Sequence, residues 1–291
     1  MGTDVTLLHR FVVSELVTAG LDHGWLLHEC DIPDWTLRGP GVHLPSATFA
    51  RLWEVGSGRL GDPEVPLHIG NRYRLKAAEL FDFLFATAAT VGAGLATCGP
   101  YITAVSTNHS AELTFDGGAE ATVALDIIDG VGRGRDLVQL WGLSAMLART
   151  RRVVEGPLDP VRVTLRQRAP RDTRCYAEVF GTTKLEFGAD TDAMTFRAVD
   201  LDRPLTTADP MLAQVLRPLA ETLPPPPELP AAWPRRVATA LHEAVADGEV
   251  SLEVVARRLA ISPRTLQRRL ADAGTSWRHE LDRAHRAGAG R

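Results

Sequence analysis

The chain has 291 residues, of which 45% are hydrophobic and 23% are charged, and its formal net charge is −4 at pH 7. This length suits one large domain or two smaller ones, and the composition excludes wholesale disorder, collagen-like repeats and a coiled-coil rod. No segment approaches the roughly 18 to 20 uninterrupted apolar residues that span a bilayer, and the first residues lack a signal-peptide cleavage site. We therefore expect a cytoplasmic protein with no membrane attachment.

The first 222 residues contain both helical and strand-like patterns. Apolar residues recur at three- and four-residue steps, which predicts helices over residues 5–28, 46–53, 81–96 and 136–150. Ser46 is the expected N-cap of the second of these helices. Alternating patterns predict a hairpin of strands 111–116 and 121–126, and further strands over 161–165, 184–187 and 194–199. Because no regular βαβ rhythm links these elements, we predict an α+β domain.

Motifs for catalysis, metals or cofactors are weak throughout the chain. The three cysteines, Cys30, Cys98 and Cys175, are far apart and form no CxxC pair or His/Cys cluster at metal-binding spacing. A glycine-rich stretch starts at Gly130, but Arg135 occupies the position of the third glycine in a dinucleotide fingerprint. The histidines are scattered and no G-x-S-x-G motif is present. We therefore expect no enzyme activity, no metal and no cofactor.

A proline-rich segment separates a large acidic part from a small basic part. Residues 223–230 read LPPPPELP, and four consecutive prolines favour an extended spacer because proline cannot continue a helix. Residues 231–291 carry a net charge of +4, whereas residues 1–230 carry −8. We predict an effector-binding or dimerisation domain over 1–222, a linker over 223–230 and a small all-α domain over 231–291, the last suited to a polyanion.

The stretch from Ser251 to Ala273 has the pattern of two short helices joined by a tight turn. Apolar residues of its first half fall at i, i+3, i+4 and i+7, namely Leu252, Val255, Ala256 and Leu259. Ser262 and Pro263 then supply an N-cap followed by proline at the first helical position. Leu266 and Leu270 lie four residues apart on the second helix. This arrangement predicts a helix-turn-helix.

The second helix carries the residues expected to bind DNA. With the two leucines inward, Arg264 and Arg268 point outward with Thr265 beside them. Arginine can bind guanine through two hydrogen bonds, and threonine can contact a thymine methyl. Gln267, which can also bind adenine, flanks this face together with Arg269. The residues that suit the phosphate backbone are Gln267, Arg269, Arg257 and Arg258. The alternative is an ordinary amphipathic helix with an arginine-rich solvent face.

These residues resemble a known family of regulators. Residues 254–270, VVARRLAISPRTLQRRL, are similar to the first helix-turn-helix of AraC/XylS-type transcription regulators, and residues 273–277 resemble the turn that follows it. The larger domain resembles the effector-binding domain of one AraC subgroup at residues 69–72, 176–181, 187–189 and 201–205. The resemblance implies a one-component regulator whose partners are promoter DNA, a small-molecule effector, a second copy of the chain and RNA polymerase.

The sequence departs from that family near its end. The family's DNA-binding unit has two helix-turn-helix motifs joined by a long helix, which residues 281–286 would only begin, so we expect the second motif to be absent. Two hypotheses follow. Either dimerisation supplies a second DNA-binding motif, or the chain is a sensor that no longer binds DNA productively and forms mixed dimers with an intact relative.

The larger domain contains several aromatic residues at which an effector pocket could form. Some aromatic residues could line an apolar pocket, although such residues more often belong to the core: Trp25, Trp53, Phe81, Phe83, Phe85 and Trp141. We assign no effector-binding residue from the sequence.

Overall fold

The computed structural model describes residues 2–115, 118–130, 132–224, 237, 240, 241, 244, 250–259, 262–272 and 275–281, with the backbone alone at 269 and 272. The chain divides into two compact units, here called the N-terminal unit, Met1–Pro227, and the C-terminal unit, Glu228–Arg291. That division falls inside the predicted linker, of which residues 225–230 lie outside the described residues.

The N-terminal unit mixes helices with a small and a large sheet. Its α-helices are α1 (Thr6–Thr18), α2 (His23–Glu29), α3 (Ser46–Leu60), α4 (Val65–Asn71), α5 (Leu80–Ala86), α6 (Val91–Tyr101), α7 (Gly132–Arg151), α8 (Arg174–Phe180), α9 (Ala198–Leu201) and α10 (Pro210–Ala220). Short 3₁₀ turns occur at Asp34–Leu37 and Ile102–Ala104. None of the helices in the described part of the chain is both long and apolar enough to cross a membrane.

The strands form two sheets. They are β1 (Thr3–Val5), β2 (His43–Pro45), β3 (His109–Phe115), β4 (Glu120–Ile127), β5 (Arg162–Leu165), β6 (Leu185–Phe187) and β7 (Ala193–Arg197). β1 and β2 pair antiparallel, and the larger sheet has the order β3-β4-β7-β5-β6, in which only the β5–β6 pair is parallel. The predicted hairpin is confirmed as β3 and β4, whose register pairs His109 with Ile127 and Phe115 with Ala121. The mixed α and β architecture agrees with the predicted class.

Helix α7 is the central element of the core. Fifteen of its twenty residues are buried, on all sides of the helix and not on one stripe, so its sequence has little amphipathic character. It contacts α3 and α4 as well as β4. Arg135 at its start and Gln139 one turn later both donate to the buried Asp192 Oδ2, over 2.6 and 3.2 Å, which ties the helix to the edge of β7.

Several predicted helix boundaries are wrong. The single helix expected over 81–96 is two helices, because Thr87 donates to the carbonyl of Phe83 as α5 ends and Thr90 caps α6 by accepting from the Ala93 amide. Helix α6 also continues through Pro100. The segment 5–28 likewise divides into α1 and α2, and Ser46 is the first residue of α3, with no capping hydrogen bond from a side chain.

Two other local expectations need correction. The helix predicted over 136–150 already begins at Gly132, inside the glycine-rich segment. The strand predicted over 194–199 ends at Arg197, and Ala198 starts the short helix α9. Arg197 donates to Asp200 over 2.7 Å across this change of direction.

The C-terminal unit has a small core of its own. Helices α11 (Leu252–Arg258) and α12 (Pro263–Asp272) are confirmed close to their predicted positions. The buried apolar side chains of this core are Val237, Ala240, Leu241, Ala244, Val255, Ala256, Leu266 and Leu270. Trp277 and Leu281, in a further helical stretch over 277–281, pack against it and are partly buried.

Candidate functional site

The face of α12 opposite its buried leucines is open to solvent. Leu266 and Leu270 are fully buried, whereas Arg264, Gln267 and Arg268 are exposed. With 3.6 residues per turn, two buried residues at i and i+4 direct the neighbouring positions away from the core. The predicted outward orientation of Arg264 and Arg268 is what the structure shows.

Serine caps fix where both helices begin. Ser251 Oγ accepts from the Val254 amide, and Ser262 Oγ accepts from the Thr265 amide, each over 3.1 Å. Each bond satisfies one of the amides that a helix start leaves without a partner. The Thr265 hydroxyl also lies 2.8 Å from Ser262 Oγ. That hydroxyl is therefore engaged within the cap, and the methyl group is the part of this half-buried side chain best placed for an outside contact.

The remaining predicted DNA-binding residues lie nearby in the sequence. Arg257 and Arg258 are exposed in the last turn of α11, where positive charge also interacts favourably with the helix dipole. The Arg269 side chain lies outside the described part of the structure. The turn residues Ala260 and Ile261 also lie outside it, so the geometry that joins the two helices stays a prediction.

The N-terminal unit contains a cavity of about 70 Å³ that the sequence did not reveal. Its wall is almost entirely apolar and includes Leu8, Phe81, Leu125, Trp141, Ala145 and Met146. These residues come from α1, α5, β4 and α7, so no single segment of sequence could indicate the cavity. At about 10 to 15 Å³ for each enclosed water, the space would hold about five to seven water molecules.

A buried arginine supplies the strongest charge at the cavity wall. Arg149 is 3% exposed, and its guanidinium lies over the rings of Phe85 and Phe81, 4.3 and 4.8 Å from their centroids. It contacts Asp82 Oδ1 at 3.4 Å and donates to Cys98 Sγ over 2.9 Å. Burial alone would lower the pKa of Arg149, but Cys98 and Asp82 raise it overall, so the side chain stays charged.

Asp82 is held by several donors at once. Its carboxylate accepts from the Tyr73 hydroxyl over 3.0 and 3.1 Å and from the Ala78 amide over 2.9 Å, besides Arg149. Burial and the adjacent carboxylate raise the pKa of Tyr73 well above its usual value, so the phenol remains a donor. A second polar group lines the cavity where Ser106 Oγ lies 2.8 Å from His109 Nδ1.

Two donors on the cavity-lining residues lack an acceptor. Among the described residues, Trp141 Nε1 and Arg149 Nε are buried and have no hydrogen-bond partner. Of the aromatic residues that the sequence offered as pocket-lining, Phe81 and Trp141 line the cavity, while Trp53 and Phe85 are core. Trp25 and Phe83 are 36% exposed. Arg149, Tyr73 and His109 carried no signal in the sequence, because their shared site exists only after folding.

Comparison with known proteins shows the class to which the chain belongs. Residues 20–205 match the family model described as the arabinose-binding domain of AraC transcription regulators, at their N-terminus. The chain therefore belongs to the AraC-type transcription regulators, as the sequence resemblance predicted.

Relatives of known name agree with this assignment. The chain is 27% identical to the ornithine utilization regulator of Pseudomonas aeruginosa over 84% of its own length and 72% of that protein. It is also 27% identical to the HTH-type transcriptional regulator VirS of Mycobacterium tuberculosis, over 94% of its length and 79% of that protein. The crystal structure of the transcriptional regulator CdpR from Pseudomonas aeruginosa shares the fold, with a TM-score of 0.52, 24% identity and coverage of 92% and 85% of the two chains.

Proposed function

We propose that this regulator binds promoter DNA sequence-specifically through α12 and that a small molecule in the N-terminal cavity controls the binding. The observation that carries the DNA-binding part is the exposure of Arg264, Gln267 and Arg268 on a serine-capped helix whose opposite face is fully buried. An amphipathic helix of this size fits the major groove of B-form DNA.

The residues divide by the chemistry that each one offers. Arg264 and Arg268 suit guanine O6 and N7, Gln267 suits adenine, and the Thr265 methyl suits thymine. Arg257, Arg258 and Arg269 suit backbone phosphates, which position the protein without specifying sequence. The surrounding basic charge of the C-terminal part makes binding sensitive to salt, since each neutralised phosphate releases counterions.

The test is fluorescence anisotropy with labelled promoter fragments and the full chain. Arg268→Ala should weaken binding to the preferred fragment by about 5- to 150-fold, the loss expected for about 1 to 3 kcal/mol of base contact, and leave non-specific binding almost unchanged. Arg171→Ala, an exposed arginine of the N-terminal unit, is the matched control and should bind like the wild type. Equal loss on all fragments would contradict base recognition.

The alternative is a sensor that forms mixed dimers without binding DNA. Gel retardation at micromolar protein and low salt separates the two proposals, because the sensor should retard no promoter fragment. Addition of an intact relative should then change that relative's retarded band.

The cavity supports control by a compact, largely apolar and uncharged effector with a hydrogen-bond acceptor. Its wall is apolar, and the free Trp141 and Arg149 N–H groups would each gain an acceptor. Asp82 already balances the charge of Arg149, so a second anion would be left uncompensated. Met146 is a flexible part of the wall that can repack around a larger ligand.

A free sugar fits this cavity poorly. A pentose brings several hydroxyl groups, and each one buried without a partner costs about 1 to 3 kcal/mol. The apolar wall offers few such partners. The arabinose in the family's description therefore does not carry over to this chain.

Thermal unfolding with small-molecule panels tests the effector proposal. Uncharged carbonyl compounds, such as small ketones, esters and lactones, should raise the unfolding temperature of the N-terminal unit, since a ligand that binds only the folded state stabilises it. Matched carboxylates and arabinose should not. Ala145→Leu fills the cavity and should remove the response; stabilisation by arabinose, or an unchanged response in this variant, would contradict the proposal.

A second copy of the chain and RNA polymerase remain expected partners. Helix α10 offers a surface for the first of these, because Met211, Val215 and Leu219 recur at four-residue steps and are 80%, 71% and 54% exposed. Sedimentation of the full chain should show a dimer that Val215→Glu dissociates. A monomer at all concentrations would remove this expectation.

A further inference from the structure

Three side chains with different metal-ligating groups meet on the surface of the N-terminal unit. They are Glu64, His68 and Cys175, and one donor atom from each lies within 4.8 Å of the other two. His68 is exposed, and Glu64 and Cys175 are half-buried. No sequence motif indicates this cluster, because Cys175 is 107 residues from His68 and neither forms a recognised metal motif. Folding therefore brings together a cysteine and a histidine that form no cluster at metal-binding spacing in the sequence.

Rigid local structure holds each of these residues in place. Glu64 is the N-cap residue of α4 and its amide donates to Asp62 Oδ1 over 2.8 Å, while Val65 and Pro66 beside it are buried. His68 follows one turn later on the same helix, so both side chains lie on one face. Cys175 is the second residue of α8, a helix that packs against α4.

The distance between the thiol and the imidazole fits two ligands of one tetrahedral ion. Cys175 Sγ lies 3.7 Å from His68 Nε2. With Zn–S near 2.3 Å and Zn–N near 2.0 to 2.1 Å, two ligands at a tetrahedral angle stand about 3.5 Å apart. A Glu64 carboxylate oxygen lies within 4.8 Å of both other donor atoms, and its flexible side chain can turn toward an ion that they hold.

The charge around the thiol also favours a cation. The thiol is half-buried and hydrogen-bonded to Glu64, and Asp62 and Glu178 lie close enough to act on it electrostatically. The nearby guanidinium of Arg174 is bound by Asp172 over 2.6 and 2.9 Å. Several carboxylates thus surround one thiol, and a divalent ion that binds the thiolate would offset their mutual repulsion.

We propose that Glu64, His68 and Cys175 form a binding site for a thiophilic divalent transition-metal ion, Zn²⁺ above all. Thiolate, imidazole and carboxylate are the ligands that Zn²⁺ takes in proteins, and three protein ligands leave the fourth position open to water. A bound ion would fasten α8 to α4. None of the three residues lines the cavity or belongs to α12, so the site does not depend on the proposed function.

Cobalt spectroscopy of the full chain tests the site. The chelator-treated, reduced protein is titrated with Co²⁺, which should give one equivalent of a thiolate-to-cobalt charge-transfer band and the intense visible bands of tetrahedral cobalt, both lost when Zn²⁺ is added. Cys175→Ser should abolish the charge-transfer band, and His68→Ala should weaken binding at least about 100-fold, since even supporting residues contribute about 10- to 100-fold. His28→Ala, whose side chain is 87% exposed, is the matched control and should bind like the wild type.

A second measurement distinguishes a loss of metal binding from misfolding of the variant. Zn²⁺ should raise the unfolding temperature of the wild-type N-terminal unit, and it should leave that of Cys175→Ser unchanged even where the variant melts at the wild-type temperature without metal. The absence of a charge-transfer band from the wild type would overturn the proposal. So would a band that persists in Cys175→Ser, because it would place the ion on Cys30 or Cys98.

Discussion

At the scale of single residues, the buried ion pair of Asp82 and Arg149 depends strongly on the groups that surround it. Both are at most 3% exposed, so each has lost its hydration. Their mutual attraction offsets that loss only together with the Tyr73 hydroxyl, the Ala78 amide and the Phe81 and Phe85 rings. Loss of either charge would leave the other buried without a counter-ion.

Asp82→Asn should therefore lower the free energy of unfolding of the N-terminal unit by about 3 to 5 kcal/mol, because the Arg149 charge would stay buried without a counter-ion. Urea denaturation measures this loss. Asp172→Asn, which removes the partner of Arg174 at the surface, is the control and should leave the midpoint unchanged. Equal effects of the two substitutions would show that the buried pair has no special role.

The buried side chain of His9 makes the free energy of unfolding depend on pH. The side chain is 0% exposed, its Nδ1 lies 3.3 Å from the Val5 carbonyl oxygen, and its ring centroid is 4.8 Å from that of Phe49. Burial lowers the pKa of His9 and outweighs the opposite effects of Asp4 and the Val5 carbonyl. Below about pH 6.5, His9 is therefore protonated in the unfolded chain while it stays neutral in the folded chain.

The free energy of unfolding should consequently fall as the pH drops from about 6.5 toward the folded-state pKa of His9. The titration of His9 alone can change the free energy of unfolding by at most about 1.4 kcal/mol per pH unit. Urea denaturation between pH 7 and pH 5 should show a smaller slope for His9→Gln than for the wild type. His28→Gln, at an exposed histidine, should keep the wild-type slope; an unchanged slope in His9→Gln would refute this assignment.

At the scale of elements, the close contact of α4 with α7 depends on a glycine. A Cβ at Gly70 would lie 2.7 Å from Ser144 Cβ and Oγ and 3.0 Å from the Ala145 nitrogen. Ser144 in turn donates to the Leu67 carbonyl over 2.9 Å and links the two helices. Gly70 belongs to one of the stretches on which the family resemblance rested, and this packing is its physical role here.

Gly70→Ala should destabilise the N-terminal unit by about 1 to 3 kcal/mol, because the added methyl group meets side chain and backbone that cannot yield. Thermal unfolding and urea denaturation measure the change. Gly58→Ala is the control, since Gly58 is exposed in α3 with no atom within 4 Å of a new Cβ, and this substitution should stabilise the protein slightly. In the double variant Gly70→Ala/Ser144→Gly, the loss in free energy of unfolding should be smaller than the sum of the losses in the two single variants.

For the whole molecule, the two units differ greatly in the size of their cores. The N-terminal core runs through helices α1 to α7 and the larger sheet, whereas the described C-terminal core consists of eight buried side chains. Small cores bury a smaller fraction of their surface, so the C-terminal unit has the smaller margin of stability. Promoter DNA should then stabilise only the C-terminal unit, and an effector only the N-terminal unit.

Calorimetry of the full chain should accordingly show two unfolding transitions, the lower one from the C-terminal unit. Leu266→Ala should remove about 2 to 5 kcal/mol from that unit and move only the lower transition. Leu143→Ala, at a fully buried site in α7, should move only the upper one. Promoter DNA should raise the lower transition. A single transition that shifts in both variants would mean that the chain unfolds as one cooperative unit.

The sequence alone determined those features that depend on nearby residues. Helical periodicity, serine caps and the alternation of β3 and β4 are local, so they predicted α11, α12 and the hairpin almost at their observed bounds. The outward direction of Arg264 and Arg268 followed from the same periodicity. Short sequence motifs also indicated the family. Boundaries failed where a single side chain, such as Thr90, decided whether a helix stopped or continued.

Only the tertiary structure decided which distant residues share a site. Arg149 meets Asp82 across 67 positions, and Cys175 meets His68 across 107. No local pattern encodes such pairs, because the free energy that brings them together is the burial of the whole core and not any property of the residues themselves. The cavity and the proposed metal site therefore became visible only when α7 had packed against the sheet and α8 against α4.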